Sequence, residues 1–286
     1  MRNALAKFYL TPHNVGKKEV QSMKYGFIGC GNMAAAIING ALAKGILAKE
    51  DILASVKTES SAKRIQETMG IACTTDNLSV ASQADYLFLA VKPQFCEEVA
   101  LVVRGKRKKG QVLVSIAAGK TLAWLKEKFG ENEKIIRTMP NTPALVGEGI
   151  TGVCPDDLVS REETDLVLEL LNSFGKAAVV TEPILDIVGA VSGSSPAFVF
   201  MFIEALADGA VAEGMPRAQA YTFAAQSVLG SAKMVLETGL HPGALKDMVC
   251  SPGGTTIEGV NVLEKEGMRS AVMDAVRACI AKTKKL

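Results

Sequence analysis

The sequence predicts an α/β protein built on a doubly wound parallel sheet, followed by an all-helical C-terminal part. Three observations carry that prediction. A short apolar run breaks into Gly-x-Gly-x-x-Ala and continues as a helix-period segment. Strand and helix patterns then alternate as far as residue 181, the spacing expected of parallel strands joined by crossover helices. Beyond Ile184 the strand signal disappears and only helical periodicity remains.

The first element is Tyr25-Gly26-Phe27-Ile28-Gly29-Cys30-Gly31-Asn32-Met33-Ala34, running on into a helical pattern as far as Ala43. Two close glycines let the backbone turn sharply and remove the Cβ atoms that would hold a ligand away. The helix that follows points unpaired N–H groups at whatever lies over residues 28–33, and a pyrophosphate is the natural guest. Ala34 stands where a third glycine is common, because that position needs only a small side chain for helix-on-strand packing. With a strand before it and a helix after it, the pattern reads as a Rossmann-type dinucleotide site, with Ile28, Gly29, Cys30, Gly31, Asn32 and Met33 as cofactor-binding candidates; a plain tight turn is the alternative.

The second strand, residues 52–56, is followed by Lys57 and Thr58, and the first acid beyond it is Glu59. Asp51 precedes the strand, at the wrong end to reach a ribose. A hydroxyl and a lysine, Ser55 and Lys57, stand where an NAD site places its carboxylate, so NADPH is favoured and NADH is the alternative. An ordinary solvated loop would also accommodate both residues.

Further strands are predicted at 25–28, 86–91, 112–116, 135–139 and 177–180, and helices at 32–44, 60–69, 93–103, 122–129 and 161–174. The cofactor should lie across the carboxyl ends of the strands. There, Ala90-Val91-Lys92-Pro93 and Ala117-Ala118 are small or turn-forming and leave room for a flat ring and a ribose. Lys92 is placed either to reach a phosphate or ribose or to serve as a plain loop lysine. Asn77 could contact the adenosine or cap a short helix.

At 286 residues and 48% hydrophobic content, the chain fits two domains: 23–183 for the dinucleotide and 184–286 for substrate and dimerisation, after a tail at 1–22. The tail has two short apolar runs, but Pro12, His13, Asn14 and Gly16 break it well short of a secretory core. A net charge of +2, from 32 basic and 30 acidic residues, gives no footprint for nucleic acid or an anionic membrane. The one dense basic run, residues 104–109, reads as a solvated loop. The chain lacks the ~18 unbroken apolar residues of a membrane span. Six cysteines without a Cys-x-x-Cys pair suit reduced thiols in the cytoplasm, and two histidines exclude a histidine metal cluster, so no metal is expected.

Helices are expected at 197–214, 218–237, 244–249, 256–265 and 269–284, with Pro196, Pro216, Pro242 and Pro252 near their starts. The segment 197–206 is apolar nearly all round. Such a helix must be covered on every side, more than one small bundle provides, so the helical part is expected to be shared between subunits; a metabolite channel or a wholly internal core is the rival. Between two of these helices lies Ser251-Pro252-Gly253-Gly254-Thr255-Thr256. A fixed turn, two glycines with exposed N–H groups and two hydroxyls form an anion cradle suited to a carboxylate. Threonine at a helix start is also a common N-cap.

Gly29-Cys30-Gly31-Asn32-Met33, Ala90-Val91-Lys92-Pro93-Gln94, Met139-Pro140-Asn141-Thr142-Pro143-Ala144, Gly147-Glu148-Gly149, Ser192-Gly193-Ser194-Ser195-Pro196-Ala197-Phe198, Leu245-Lys246-Asp247 and Ser251-Pro252-Gly253-Gly254-Thr255-Thr256 follow one another as in the pyrroline-5-carboxylate reductases, which this chain resembles from Met23 onward. It departs from them at Ser195, commonly Gly there, and at Met248, commonly a polar amide. The resemblance implies hydride transfer from a nicotinamide cofactor to the C=N carbon of 1-pyrroline-5-carboxylate, giving L-proline. It implies that Thr256 hydrogen-bonds the ring nitrogen and that Ser251, Gly253, Gly254 and Thr255 hold the carboxylate. Glu182 and Ser194 are added as substrate-binding candidates. It further implies a homodimer whose partner completes the loop, in dimers that can assemble into larger rings such as a decamer. Another imine or β-hydroxyacid reductase and a non-catalytic NADPH-binding regulator are the rivals. Hydroxyacid reductases of this architecture use a lysine on a core helix, and residues 197–206 contain none.

Overall fold

The structure, a computed structural model, describes residues 23–283. The tail at 1–22, with His13, lies outside the described residues. Two compact units are present: residues 23–193 together with 280–283, and Ser194–Cys279.

The first unit is a sheet of eight strands: β1 (Tyr25–Ile28), β2 (Ile52–Ser55), β3 (Ala72–Thr74), β4 (Tyr86–Leu89), β5 (Val112–Ser115), β6 (Lys134–Met139), β7 (Gly149–Pro155) and β8 (Gly175–Val179). Their order is β3-β2-β1-β4-β5-β6-β7-β8, so the connection reverses direction between β1 and β4. Helices α1 (Asn32–Ala43), α2 (Glu59–Met69), α3 (Asn77–Gln83), α4 (Cys96–Val103), α5 (Leu122–Phe129), α6 (Arg161–Leu171) and α7 (Glu182–Val188) complete the unit. Because successive side chains of a strand point to opposite faces, each strand feeds two cores. Phe27, Phe88 and Val114 join Ile37, Leu170 and Phe174 on one side, while Leu87, Leu89 and Leu113 join Val99, Leu125 and Phe129 on the other. Parallel register brings Tyr25 against Tyr86 and Phe27 against Phe88, and both ring pairs stack, at 5.4 and 4.6 Å.

The doubly wound sheet is as the sequence predicts, with two additions. β3 is three residues long, too short to show a period. β7 runs antiparallel to β6 and parallel to β8. Its glycines are packing residues: a Cβ on Gly152 would lie 2.6 Å from Leu185 Cδ1. The basic run is also corrected in part. The Arg107 side chain is only 2% exposed, paired with Glu133 and lying 5.9 Å from the Phe129 ring.

The second unit is wholly helical: α8 (Ser195–Ala212), α9 (Arg217–Thr238), α10 (Pro242–Val249), α11 (Thr255–Lys265) and α12 (Met268–Thr283). A π-helical stretch, Gly189–Ser194, leads into α8. The buried contact of α8 with α9 is made of alanines, Ala207, Ala220 and Ala224, flanked by Ile203, Ala210, Val211 and Met215. Phe200, Met201, Phe223 and Leu236 are exposed. By length and composition alone, the continuous helical stretch Glu182–Ala212 could cross a membrane, with a mean hydropathy of 1.6 over its most apolar window.

Candidate active site

Strands β1 to β5 are mutually parallel, so their carboxyl ends share one edge of the sheet. At the end of β1, Gly29 takes φ +90° and donates its N–H to Ser55 O at 2.9 Å. A Cβ there would stand 2.6 Å from Ala90 O and 2.8 Å from Ala90 C, so the close approach of β1 and β4 admits only glycine. Ala90 N–H in turn donates to Ile28 O at 2.8 Å and ties the two exits together.

Gly31 differs in kind. It is the N-cap of α1 at φ −86°, with no capping side chain and no acid in the first turn. A Cβ on it would meet nothing within 4 Å. The first intrahelical bond is Ala35 N–H to Gly31 O, which leaves the N–H groups of the preceding turn, at Asn32, Met33 and Ala34, without helical acceptors. Open space in front of unpaired N–H groups, with no side chain filling it, fits a dinucleotide pyrophosphate. Burial pushes the Cys30 thiol up to about 11, with the nearby Cys73 adding to the rise, so it stays neutral beside that space.

Ser55 is fully buried and its Oγ donates to Asn77 Oδ1 at 2.8 Å. The hydroxyl expected at a 2′-phosphate therefore braces Asn77 instead. Asn77 does not cap its helix, because Asp76 Oδ1 accepts the Leu78 N–H at 2.9 Å and takes that role. Lys57 is exposed, its Nζ 5.7 Å from the centre of the Phe95 ring. After β4, the exposed Lys92 precedes Pro93, and the Lys92 carbonyl accepts the Phe95 N–H at 2.9 Å. After β5, Ala117 is buried and its N–H donates to Ser115 Oγ at 3.3 Å, with Ala118 following. The cofactor-binding candidates thus all fall at strand exits on one edge of the sheet, or directly after them, with Ile28, Ser55 and Ala117 buried.

Glu182 opens α7, and its Oε1 accepts from Arg137 Nη1 at 3.0 Å and from Leu122 N–H at 2.6 Å. Its side chain remains 32% exposed. Asn141, buried, donates to Ser192 O at 3.1 Å and accepts from Ile150 N–H at 2.8 Å, bracing the π-helical stretch. The sequence alone does not mark Arg137 and Asn141 as site residues; the one signal for Arg137 is a charge inside the apolar run Ile135-Ile136-Arg137.

In the helical unit, Ser251, Gly253, Gly254, Thr255 and Thr256 lie together in the turn from α10 to α11. Gly253 takes φ +67°, and Gly254 N–H donates to Ser251 O at 3.0 Å. A Cβ on Gly254 would lie against Ser251 Oγ and 3.2 Å from Ser251 O, so the hydroxyl would have to turn away. The N-cap of α11 is Gly254, without a capping side chain. Thr255 and Thr256 are therefore the first two helical residues rather than caps, and both are exposed. The first-turn N–H groups of α11 thus have neither helical acceptors nor a capping side chain. Ser194 ends the π-helical stretch, one residue before α8. Among the described residues no group of three or more His, Cys, Asp or Glu side chains could hold a metal ion.

Residues 24–119 match the family model described as NADP oxidoreductase, coenzyme F420-dependent, and residues 182–286 match that described as pyrroline-5-carboxylate reductase dimerisation. The chain is 53% identical to the pyrroline-5-carboxylate reductase of Escherichia coli over 263 residues, 92% of this chain and 98% of that one. Against the pyrroline-5-carboxylate reductase of Methanosarcina acetivorans the identity is 43%, over 93% and 99% of the two chains. Among solved structures, the pyrroline carboxylate reductase of Plasmodium falciparum with NADP bound superposes with a TM-score of 0.84 at 32% identity, covering 92% of this chain and 97% of that one. With both parts matched and the likeness running nearly end to end, this chain belongs to the pyrroline-5-carboxylate reductase family.

Proposed function

We infer that the chain reduces the C=N bond of 1-pyrroline-5-carboxylate to give L-proline, the last step of proline biosynthesis, with NADPH as the preferred reductant and NADH as the alternative. The observation that carries this reading is that the likeness covers both ends of the reaction: the glycine turn lies in residues 24–119 and the Ser251–Thr256 turn in 182–286. When bound, the nicotinamide supplies a hydride. The unpaired N–H groups at the start of α1, facing the space over residues 29–33, hold the pyrophosphate, Lys57 attracts the 2′-phosphate, and Asn77, steadied by Ser55, faces the adenosine. Ala90 to Pro93, with Ala117 and Ala118, line the nicotinamide end. Within this division, 23–183 serves the dinucleotide and 184–286 the substrate and the subunit contact.

The substrate enters as the protonated imine. It already carries its proton and its positive charge, so the chain needs no titrating base: the carbon accepts the hydride and the π pair returns to nitrogen. Ser251, Gly253, Gly254 and Thr255 hold the carboxylate, Thr256 hydrogen-bonds the ring nitrogen, and Glu182 and Ser194 complete the substrate contacts. The protein is a homo-oligomer; we take the unit to be a dimer, its exposed Phe200, Met201 and Phe223 covered by a second copy, with a larger ring such as a decamer built from dimers. Cys30, Cys73, Cys96, Cys154 and Cys250 are free thiols, in keeping with the cytoplasm, and neither nucleic acid nor a membrane is assigned as a partner.

NADPH oxidation followed spectrophotometrically with pyrroline-5-carboxylate tests the reading and separates it from a hydroxyacid reductase or a non-catalytic regulator. Thr256→Ala should lower turnover by ~10- to 1000-fold, the loss of one oriented hydrogen bond, with NADPH affinity little changed. Unaltered turnover removes Thr256 from the mechanism.

A further inference from the structure

Arg137 is a charge in an otherwise apolar stretch of β6, and its side chain is 5% exposed. An aliphatic residue would fill the position without desolvating a guanidinium, a cost of several kcal/mol that only well-placed partners offset. Both partners are on α7, four residues apart and so on one helix face. Nη1 donates to Glu182 Oε1 at 3.0 Å and Nη2 to Asp186 Oδ1 at 2.6 Å.

The pairing reaches further than α7. Glu182 Oε1 also accepts the Leu122 N–H at 2.6 Å, and Leu122 is the first residue of α5, where the segment leaving β5 ends. The start of that segment is held by the next residue of the same strand: Thr138 Oγ1 donates to Ser115 O at 3.0 Å, while Ser115 Oγ accepts the Ala117 N–H at 3.3 Å. Arg137 is itself the register partner of Ser115. Two consecutive residues of β6 therefore pin both ends of residues 115–122, the stretch that contains Ala117 and Ala118.

We propose that Arg137 is a positioning residue for the reduction. Acting through Glu182, it fixes the backbone between β5 and α5 against which the nicotinamide end of the cofactor lies, and it touches neither cofactor nor substrate itself. The proposal rests on the assignment of Ala117 and Ala118 to the cofactor site. A displacement of about 1 Å at a reacting centre costs on the order of 100-fold in rate. Loosening this segment therefore lowers kcat, while the dinucleotide keeps its pyrophosphate contacts at the turn after β1.

The test is Arg137→Lys in the full-length protein, because an ammonium keeps the charge but lacks the planar fork that reaches two carboxylates. Amide hydrogen exchange of residues 115–122, the dissociation constant for NADPH, and kcat and KM for pyrroline-5-carboxylate are measured together. Exchange at Leu122 should rise about 10-fold or more and kcat should fall ~10- to 100-fold, with NADPH affinity within about 3-fold of wild type. Wild-type exchange with only a lowered Tm makes Arg137 merely structural and overturns the proposal; faster exchange with wild-type kcat overturns it equally. Exchange is read without substrate, so a wild-type protein that failed to reduce pyrroline-5-carboxylate would sink the functional reading while the exchange result still stood. Should Arg137→Lys not fold, Asp186→Asn leaves the guanidinium and Glu182 in place and should give about 3-fold changes in exchange and kcat; wild-type values in both overturn the proposal.

Discussion

Gly29 and Gly31 are two residues apart, yet alanine should act on them in opposite ways. At Gly29 the added Cβ meets backbone, Ala90 O at 2.6 Å and Ala90 C at 2.8 Å, and the residue sits at φ +90°. Backbone strain of about 1–3 kcal/mol adds to a packing clash of about the same size, so Gly29→Ala should destabilise the nucleotide-binding unit by roughly 2–6 kcal/mol. At ~2–4 °C per kcal/mol, that is on the order of 5–20 °C in Tm. At Gly31 the Cβ meets nothing within 4 Å and φ is −86°, so only the poorer N-cap counts, about 1 kcal/mol or less. The space it fills is the space assigned to the pyrophosphate. Losing one or two charge-assisted hydrogen bonds at about 1.5–3 kcal/mol each should raise the NADPH dissociation constant by roughly 10-fold or more. Trp124, the only tryptophan, stands in α5 of the same unit and reports its melting; NADPH fluorescence reports binding. Wild-type affinity in Gly31→Ala would refute the placement of the pyrophosphate, and a wild-type Tm in Gly29→Ala would refute the tightness of the turn.

Four more outcomes are expected. Lys57→Ala should raise the KM for NADPH by about 10-fold at low ionic strength and leave that for NADH unchanged, whereas Ser55→Ala should cost ~1 kcal/mol of stability through the lost bond to Asn77; equal effects of Lys57→Ala on both cofactors would remove Lys57 from the phosphate. Arg107→Met removes a buried guanidinium whose Nε and Nη1 have no hydrogen-bond partner among the described residues, and leaves the partly exposed Glu133 to water. Urea denaturation should then give a stability within about 1 kcal/mol of wild type, and a loss above about 3 kcal/mol would contradict that. Burial pushes the Tyr25 hydroxyl up to about 12 and that of its stacking partner Tyr86 upward as well. The folded state thus holds protons that the unfolded chain releases near pH ~10, so stability is intact below pH ~10 and falls as pH rises through about 12 for Tyr25, which urea midpoints taken with tyrosinate absorbance will show.

What the sequence discloses about this fold is what depends on neighbours along the chain. The turn after β1 is legible because strand, glycines and helix are contiguous, and the helical part because proline stands near the start of most of its helices. β7 is not legible, because its glycines answer to Leu185 and Ala144, contacts made only once the chain has folded. The same division holds at the candidate site. Gly29 and Gly31 look equivalent as letters, and only the Ala90 carbonyl separates a packing glycine from an open one. Ser55 reads as a surface hydroxyl until β1 and β3 close over β2 and turn it toward Asn77. Glu182 and Arg137 are 45 residues apart, a separation at which no local pattern links them.

The helical unit reverses the usual distribution of side-chain size, and that reversal has a physical consequence. Between α8 and α9 the buried positions are Ala207, Ala220 and Ala224, so the two backbones can approach closely at the expense of apolar area within the pair. The bulky residues of the same helices face outward: Phe200 is 65% and Phe223 66% exposed. At about 25 cal/mol per Å², removing a phenylalanine ring from water is worth roughly 2–3 kcal/mol, and several such rings exceed what three buried alanines contribute. Covering the outer face would thus add hydrophobic stabilisation beyond what the alanine contact provides. Where a second copy covers that face, folding of the unit and association are coupled.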